Sequence, residues 1–232
     1  MFKGARKFIS DLFFPVECVT CSQPGQFFCK NCQKLIVSLA NRCLVCNDGV
    51  SDQGVCEVCA SQVPYDEIYV LGKFTGTVLE VAVEKLKFSF VEELAKILAS
   101  CLAASLTNRG LVFDPVSAII IPIPLHEKRF CERGFNQSEL LSEWLARDLA
   151  VAMRTDILFR DRATRQQARL TRAEREENIR DAFTVQNGDL IKDKIIYIVD
   201  DVFTSGATVG AAAKLIREYA PNKIVVLALA HG

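Results

Sequence analysis

The chain has 232 residues, half of them hydrophobic, which predicts one ordinary domain with a sizeable core and a second, smaller unit. Its 28 basic and 28 acidic residues balance, which excludes a global attraction to nucleic acid or to anionic membranes. Any anion site must therefore be built locally. No stretch approaches the roughly 20 apolar residues of a membrane span, and the opening residues lack the apolar core of a secretion signal.

The N-terminal segment 1–14 mixes basic and apolar residues, which is typical of a short amphipathic helix. Phe8, Leu12 and Phe13 would pack on a neighbouring part of the protein, and the helix would end before Pro15. The same pattern also fits a helix that lies weakly on a membrane surface, and the sequence leaves both interpretations open.

Cysteine spacing dominates the next segment, from residue 15 to about 62. Eight of the chain's 10 cysteines form four Cys-x-x-Cys pairs. This spacing is typical of a metal site, because each pair can form a tight turn that directs two sulfurs at one ion. The pairs are Cys18/Cys21, Cys29/Cys32, Cys43/Cys46 and Cys56/Cys59.

Zinc is the metal that these cysteines favour, because four thiolates suit tetrahedral coordination and no redox partner is evident. With sulfur in all four positions of each site, the role would be structural. Two sequential sites are the simplest arrangement, each built from two neighbouring pairs, whereas an interleaved pairing of first with third and second with fourth stays open. Thiolates that ligate metal must stay reduced, so the pattern also predicts a cytoplasmic protein.

The remainder of the chain alternates apolar strands with amphipathic helices. This alternation predicts an α/β fold with a parallel sheet, whose ligands bind beyond the carboxyl ends of the strands. The predicted elements are an edge hairpin or bent strand at 65–74, helix over 77–106 with a break near 89–90, strand 116–121, helix 137–149, strands near 156–159 and 182–185, strand 194–199, helix 209–217 and strand 223–230.

The stretch 194–217 carries the strongest functional pattern. Its apolar strand stops at Asp200 and Asp201, and a turn of small and hydroxyl-bearing residues leads into a helix. Turn amides and the helix dipole, about half a positive charge, favour a bound phosphate, while two acids can hold sugar hydroxyls or a metal. The turn consists of Thr204, Ser205, Gly206, Ala207 and Thr208.

Two common nucleotide-binding motifs are absent from the sequence. There is no Gly-x-x-x-x-Gly-Lys-Ser/Thr motif, and no Gly-x-Gly-x-x-Gly follows a strand. Classification as a P-loop hydrolase or a dinucleotide-binding protein therefore loses its main support.

Two basic segments precede this stretch. The loop after strand 116–121 contains Arg133, while His126 and Cys131 in the same loop are weak evidence for a catalytic pair. Segment 154–180 holds eight arginines and few apolar residues. It fits either a solvated loop and helix or a lid that closes on a polyanion, since the arginine fork suits phosphate oxygens. Lys87 is interpreted from spacing alone as a solvated lysine.

Together these segments resemble the type I phosphoribosyltransferases, and most closely the ComF/GntX family of competence proteins. Segment 199–208 resembles the signature that binds phosphoribosyl pyrophosphate (PRPP), with Ser205 where threonine is usual. The resemblance covers nearly the whole chain: the cysteine segment, Leu86-Lys87-Phe88, Arg133-Gly134-Phe135-Asn136-Gln137, and Thr164, Gln167 and Leu170 with Arg175, Asn178 and Ala182-Phe183.

The resemblance implies a parallel-sheet type I phosphoribosyltransferase fold over 65–232, preceded by an N-terminal helix and a zinc-ribbon-like domain over 1–62. It implies that Asp200 and Asp201 hold the ribose hydroxyls and that turn 204–208 holds the 5′-phosphate of PRPP. Gly134 would lie in the pyrophosphate loop, and Mg²⁺ would accompany PRPP. The implied catalytic residues, which stabilise the leaving pyrophosphate, are Arg133, Arg162 and Arg175.

The implied function is that of a phosphoribosyltransferase with an unidentified acceptor, connected with DNA uptake. The alternative is a non-catalytic accessory protein that binds PRPP and single-stranded DNA. Candidate partners are therefore PRPP, single-stranded DNA, competence proteins and a second copy of the chain.

Overall fold

The computed structural model describes residues 16–39, 41–88, 92–160 and 182–232. The predicted N-terminal helix and most of the arginine-rich segment lie outside the described residues. Within the described ranges, no helix combines the length and the apolar character that a membrane crossing requires.

Strands and helices alternate along the chain after the cysteine segment. The strands are β1 Glu67–Lys73, β2 Ala118–Pro122, β3 Ala152–Met153, β4 Leu158–Arg160, β5 Phe183–Val185, β6 Ile195–Phe203 and β7 Lys223–His231. The α-helices are α1 Lys30–Gln33, α2 Glu57–Ala60, α3 Val78–Phe88, α4 Glu92–Asn108, α5 Glu127–Arg133, α6 Gln137–Leu149 and α7 Ala207–Arg217, with a 3-10 turn at Gly188–Ile191.

Five strands form a parallel sheet in the order β1-β7-β6-β2-β3. Its central strands are apolar on both faces because helices and cysteine segments cover both. Helices α3, α4 and α6 pack on one face and α7 on the other. The predicted parallel α/β fold is confirmed, and α6 has the predicted bounds.

The cysteine segment packs on the sheet rather than apart from it. Cys18 and Phe28 belong to the core on the α4 face, whereas Cys43 and Leu44 belong to the core on the α7 face. The same segment covers the free edge of β1, where the N–H groups of Ile68 and Lys73 donate to the carbonyls of residues 53 and 37. The domain division between 62 and 65 stays a prediction.

Two local expectations differ from the structure, and the pairing of two further strands was not predicted. The hairpin proposed for 65–74 is wrong, because β1 is a single edge strand that pairs in parallel with β7. Strand β6 continues through both acids to Phe203, since its ladder with β7 extends that far. Strands β4 and β5 pair antiparallel in a separate two-stranded sheet that flanks the arginine-rich segment.

Candidate functional site

Two adjacent carboxylates lie near the carboxyl end of β6 and are held by the start of α6. Asp201 is 7% exposed, and its Oδ2 accepts a hydrogen bond of 3.1 Å from Gln137 Nε2, while its Oδ1 accepts from the N–H of Val202 at 2.7 Å. Asp200 Oδ1 accepts from Ser138 Oγ at 3.2 Å. These contacts fix both carboxylates before any ligand arrives.

The first turn of α6 is itself anchored to the end of the neighbouring strand. Asn136 caps the helix by accepting a hydrogen bond from the N–H of Ser138 at 3.0 Å. Its Nδ2 donates to the carbonyl of Ile123, just after β2, at 3.1 Å. The cap therefore sets the position of Gln137 and Ser138 relative to the two acids.

The two acids differ in their proton affinity. Desolvation, together with the negative charge of Asp201, raises the pKa of Asp200 to about 7. Near neutral pH, Asp200 is therefore present in both its protonated and its ionised form. A protonated carboxyl can donate a hydrogen bond as well as accept one, so this pair can hold vicinal hydroxyls in more than one way.

A tight turn follows the acids and leads into α7. Gly206 has φ +75°, and a Cβ there would lie 2.9 Å from the Phe203 ring and 3.0 Å from the Tyr65 hydroxyl. Glycine is thus required both by conformation and by space. Because α7 starts at Ala207, the N–H groups at the beginning of this helix make the turn a suitable place for a phosphate.

Basic side chains form a second wall, beside the acids, in the same cavity, which has a volume of about 300 Å³. Lys87 Nζ lies 3.0 Å from Glu84 Oε1 and makes a long ion pair of 3.9 Å with Asp201 Oδ2. Arg133 Nη1 donates to Gln137 Oε1 at 2.9 Å. The cavity wall holds four cations and three acids, a surplus that suits a polyanion; the cations are Lys87, Arg129, Arg133 and Arg160.

Arg160 is a partly buried arginine of the cavity. Its guanidinium lies over the Phe183 ring, 5.3 Å from the centroid, at the point where β4 ends. Burial, with the nearby charge of Arg129, lowers the pKa of Arg160 to about 10, so it stays charged at neutral pH. A buried cation strengthens the attraction for a bound anion, because little water screens it.

Most of the predicted binding residues meet in this cavity. Its wall includes Asp200, Asp201, Arg133 and four members of the turn, namely Thr204, Gly206, Ala207 and Thr208. Ser205 is not part of the wall, and its Oγ is buried without a hydrogen-bond partner among the described residues. The predicted catalytic residues Arg162 and Arg175 lie outside the described residues.

Gly134 ends α5 and does not line the cavity. Its φ of +77° makes it the left-handed cap of the helix, and its N–H donates to the carbonyl of Phe130 at 2.7 Å. A Cβ there would meet no atom within 4 Å. The backbone angle alone therefore accounts for glycine at this position.

Sequence reasoning missed several residues of the site. Lys87, interpreted as solvated, has a side chain only 19% exposed and faces Asp201. Gln137 belongs to a segment of the resemblance and Ser138 to the predicted start of a helix, but the sequence predicts for neither a contact with the acids, although both are buried polar residues. Arg129 and Arg160 were not singled out from their basic segments, since their approach to the acids depends on the tertiary fold.

The cysteines form two separate groups of four. In each group the four sulfurs all lie within 4.8 Å of one another. This confirms the sequential pairing and excludes the interleaved one. The groups are Cys18, Cys21, Cys29 and Cys32, and Cys43, Cys46, Cys56 and Cys59.

In each group, one cysteine has a lowered pKa, which favours its thiolate over its thiol. Burial alone would raise the pKa of Cys18, but hydrogen bonds from backbone amides outweigh it and lower the pKa to about 6. The same balance lowers the pKa of Cys43 to about 6. Desolvation and neighbouring thiols raise the pKa of Cys59 to about 12. Four clustered sulfurs are compatible with one structural zinc ion per group, whose charge would keep all four deprotonated.

Comparison with known proteins gives close relatives along almost the whole chain. No family model matches. Competence protein F of Haemophilus influenzae is 29% identical over 233 residues, covering 95% of this chain and 99% of that protein. DNA utilization protein YhgH of Salmonella typhi is 30% identical over 212 residues, covering 88% of this chain and 92% of that protein.

Among solved structures, a hypoxanthine phosphoribosyltransferase from Staphylococcus aureus aligns with a TM-score of 0.37 and 17% identity. The alignment covers 61% of this chain and 65% of that one. By its sheet and its strand–turn–helix site, the chain is an α/β protein with a five-stranded parallel sheet and a cysteine-rich N-terminal segment. It belongs to the ComF/GntX family, together with competence protein F and YhgH.

Proposed function

We propose that the cavity at the carboxyl edge of the sheet binds PRPP, and that the protein is a phosphoribosyltransferase-like protein connected with DNA uptake. One observation carries the proposal. Two acids, a glycine turn at a helix start and four basic side chains share a single cavity of about 300 Å³. PRPP presents the matching groups, which are two ribose hydroxyls, a 5′-phosphate and a pyrophosphate.

Each part of PRPP has a partner in this arrangement. Asp200 and Asp201 accept hydrogen bonds from the ribose hydroxyls, and the turn at Gly206 takes the 5′-phosphate. The pyrophosphate then faces the basic wall that Lys87 and Arg133 help to form. Arg162 and Arg175 remain proposed catalytic residues on the evidence of the sequence.

The proposed ligand would bring Mg²⁺ with it. Carboxylate oxygens suit this ion, and Asp200 and Asp201 lie at the cavity wall where they could contribute to holding it. Protein donors already occupy Asp201, so most of the ligands of the ion would be phosphate, hydroxyl and water oxygens. The bound ion would neutralise part of the negative charge of the pyrophosphate.

The residues of the basic wall suit the loss of pyrophosphate. In that reaction the bond between C1 of the ribose and the pyrophosphate oxygen breaks, and the leaving group takes the electron pair. Arg133 and Lys87, held by hydrogen bonds and ion pairs before binding, would stabilise the growing negative charge more than the ground state. The acceptor nucleophile would then form the new bond at C1.

The connection with DNA uptake rests on the names of the relatives, competence protein F and DNA utilization protein YhgH. The same connection is also compatible with a second function, in which the protein binds PRPP without turnover and binds single-stranded DNA. Two assays separate the functions. Release of pyrophosphate that requires Asp201 supports the enzyme, whereas salt-dependent DNA affinity without release supports the binding protein.

Ligand-dependent thermal stability tests PRPP binding directly. We expect PRPP with Mg²⁺ to raise the Tm of the wild type, and the double variant Asp200→Ala/Asp201→Ala to lose the shift. Asp189→Ala, which changes an exposed acid outside the cavity, should keep the full shift. Absence of a shift in the wild type would contradict the proposal.

We also propose that the two cysteine groups each hold one structural zinc ion. The segment around them has few apolar residues of its own, so metal binding would contribute a large part of its folding free energy, on the order of 10 kcal/mol per site. Since this segment covers the edge of β1, loss of metal would also expose unpaired backbone groups there.

A further inference from the structure

A second cavity lies at the opposite, amino-terminal edge of the sheet. Its volume is about 570 Å³, larger than that of the cavity beside the acids. Strands β1, β6 and β7 begin there, and residues 109–112 after α4 and residues 41, 52 and 53 of the cysteine segment complete the wall. Small-molecule sites typically occupy roughly 300–1,000 Å³. The proposed PRPP site uses the other edge of the sheet and leaves this cavity without a role.

The cavity contains a buried carboxylate whose charge is already compensated. Glu67 is 6% exposed, and its Oε1 lies 2.6 Å from Lys223 Nζ. Its Oε2 accepts a hydrogen bond of 3.3 Å from the hydroxyl of Tyr69, which is 5% exposed. Glu67 therefore fixes two donors in place and leaves little capacity for a cation.

Tyr197 contributes a hydroxyl that has not found a protein partner. The residue is 4% exposed and lines the cavity, yet its hydroxyl makes no hydrogen bond with the described residues. Burial and the negative charge of Glu67 raise the pKa of Tyr197 to about 12, so the group stays protonated. The hydroxyl is not among the polar atoms that are buried away from solvent, so it opens into the cavity, where an acceptor on a ligand could take its hydrogen bond.

Arg109 provides the positive charge of the cavity. Its guanidinium lies over the Tyr69 ring, 5.8 Å from the centroid, and no carboxylate of the described residues lies within 4 Å of it. Lys223 is paired with Glu67, and the remaining acid of the wall, Asp52, is exposed at the rim. The charged donor left over is thus the guanidinium, while the Tyr197 hydroxyl and the exposed side-chain amides of Asn41 and Gln53 add neutral donors.

We propose that this cavity binds a small organic anion, a carboxylate or a phosphate monoester, through Arg109 and Tyr197. A planar guanidinium and a hydroxyl donor on the wall of the same cavity match the oxygens of such a group. The apolar part of the ligand packs against Leu111, Val112 and Val225, which line the same cavity. This site requires neither PRPP nor turnover at the other edge of the sheet.

The tyrosines of the chain offer a direct test, because there are only four. Tyr69 and Tyr197 line this cavity, whereas Tyr65 adjoins Gly206 at the other edge and Tyr219 adjoins Gly188. In protein labelled with ¹³C in the tyrosine rings, we expect benzoate or phenyl phosphate to shift the Tyr69 and Tyr197 signals saturably below about 10 mM. Neutral benzyl alcohol should not do so. A shift of Tyr65 would report binding at the other cavity.

Substitutions identify the donors. Arg109→Gln should weaken binding about tenfold and Tyr197→Phe about fivefold, with Tyr69 as the reporter in both. Arg147→Gln, an exposed change on α6, should leave the affinity unchanged. The proposal is overturned if neither anion shifts Tyr69 and Tyr197, or if the two anions bind Arg109→Gln as tightly as the wild type. Comparing the two anions shows whether the site prefers carboxylate or phosphate.

Discussion

Gln137 Nε2 lies 3.1 Å from Asp201 Oδ2, which ties the first residue of α6 to the acid pair of β6 across 64 positions of sequence. Both residues are buried, and Gln137 Oε1 also accepts from Arg133. One amide therefore joins the acid wall of the cavity to its basic wall. The relative placement of the two walls depends on this side chain.

Replacing Gln137 with leucine should uncouple the two walls. Leucine has a similar size but removes the hydrogen bonds that Gln137 makes with Asp201 Oδ2 and with Arg133, so we expect a loss of about 1–2 kcal/mol in the free energy of unfolding and about tenfold weaker PRPP binding. Urea unfolding and ligand titration measure the two effects. Gln186→Leu, at an exposed position, should change neither. Equal affinity of Gln137→Leu and wild type for PRPP would refute the coupling.

Replacing Gly206 of the turn and Gly210 of α7 with alanine should change the free energy of unfolding in opposite directions. Gly206→Ala forces a Cβ onto the Phe203 ring at a positive φ, so we expect a loss of about 1–3 kcal/mol and a smaller PRPP-induced Tm shift. Gly210→Ala meets no atom within 4 Å inside the helix, and should stabilise by about 0.5–1 kcal/mol. Thermal and urea unfolding of both variants provide the check. A neutral Gly206→Ala would mean that the turn does not need its glycine.

The raised pKa of Asp200 predicts a pH-dependent stability. Its folded-state pKa of about 7 exceeds the unfolded value of 3.8, so the folded form retains a proton that the unfolded form has lost. Its contribution is therefore fully present below about pH 4 and is lost as the pH rises towards 7. From pH 5 to pH 8 this loss is about 3 kcal/mol, and Asp200→Asn should lack it.

Urea unfolding at several pH values measures that difference. The stability of Asp200→Asn minus that of the wild type should grow by about 3 kcal/mol between pH 5 and pH 8. For Asp189→Asn, at an exposed acid, the difference should stay constant. A constant difference for Asp200→Asn as well would show that the carboxyl titrates normally.

Metal content distinguishes the cysteines of the two groups from the others. Cys43→Ser removes a buried ligand of the second group, so we expect the zinc content to fall from two ions per chain to one, with a lower Tm. Cys131 is exposed on α5 and belongs to neither group, so Cys131→Ser should retain both ions. Elemental analysis of the purified variants decides the point, and two ions in Cys43→Ser would argue against the second site.

Local patterns in the sequence determined a large part of this protein. The helical period predicted α6 with its observed bounds, because the apolar spacing and the Asn136 cap act within one segment. The strand–acid–turn–helix pattern placed Asp200, Asp201 and Gly206 together, since neighbours in sequence are neighbours in space there. Paired cysteines likewise indicated two groups of four through their short spacing.

The tertiary structure decided what depends on contacts between distant segments. Spacing left the pairing of the cysteines open, and packing on opposite faces of the sheet settled it as sequential. Lys87 and Arg160 reach Asp200 and Asp201 only because α3 and β4 end beside β6. Such contacts join residues far apart in the chain, so neither periodicity nor spacing encodes them. The sequence alone thus determined the local parts of the site, whereas the parallel order of the sheet brought its two walls together.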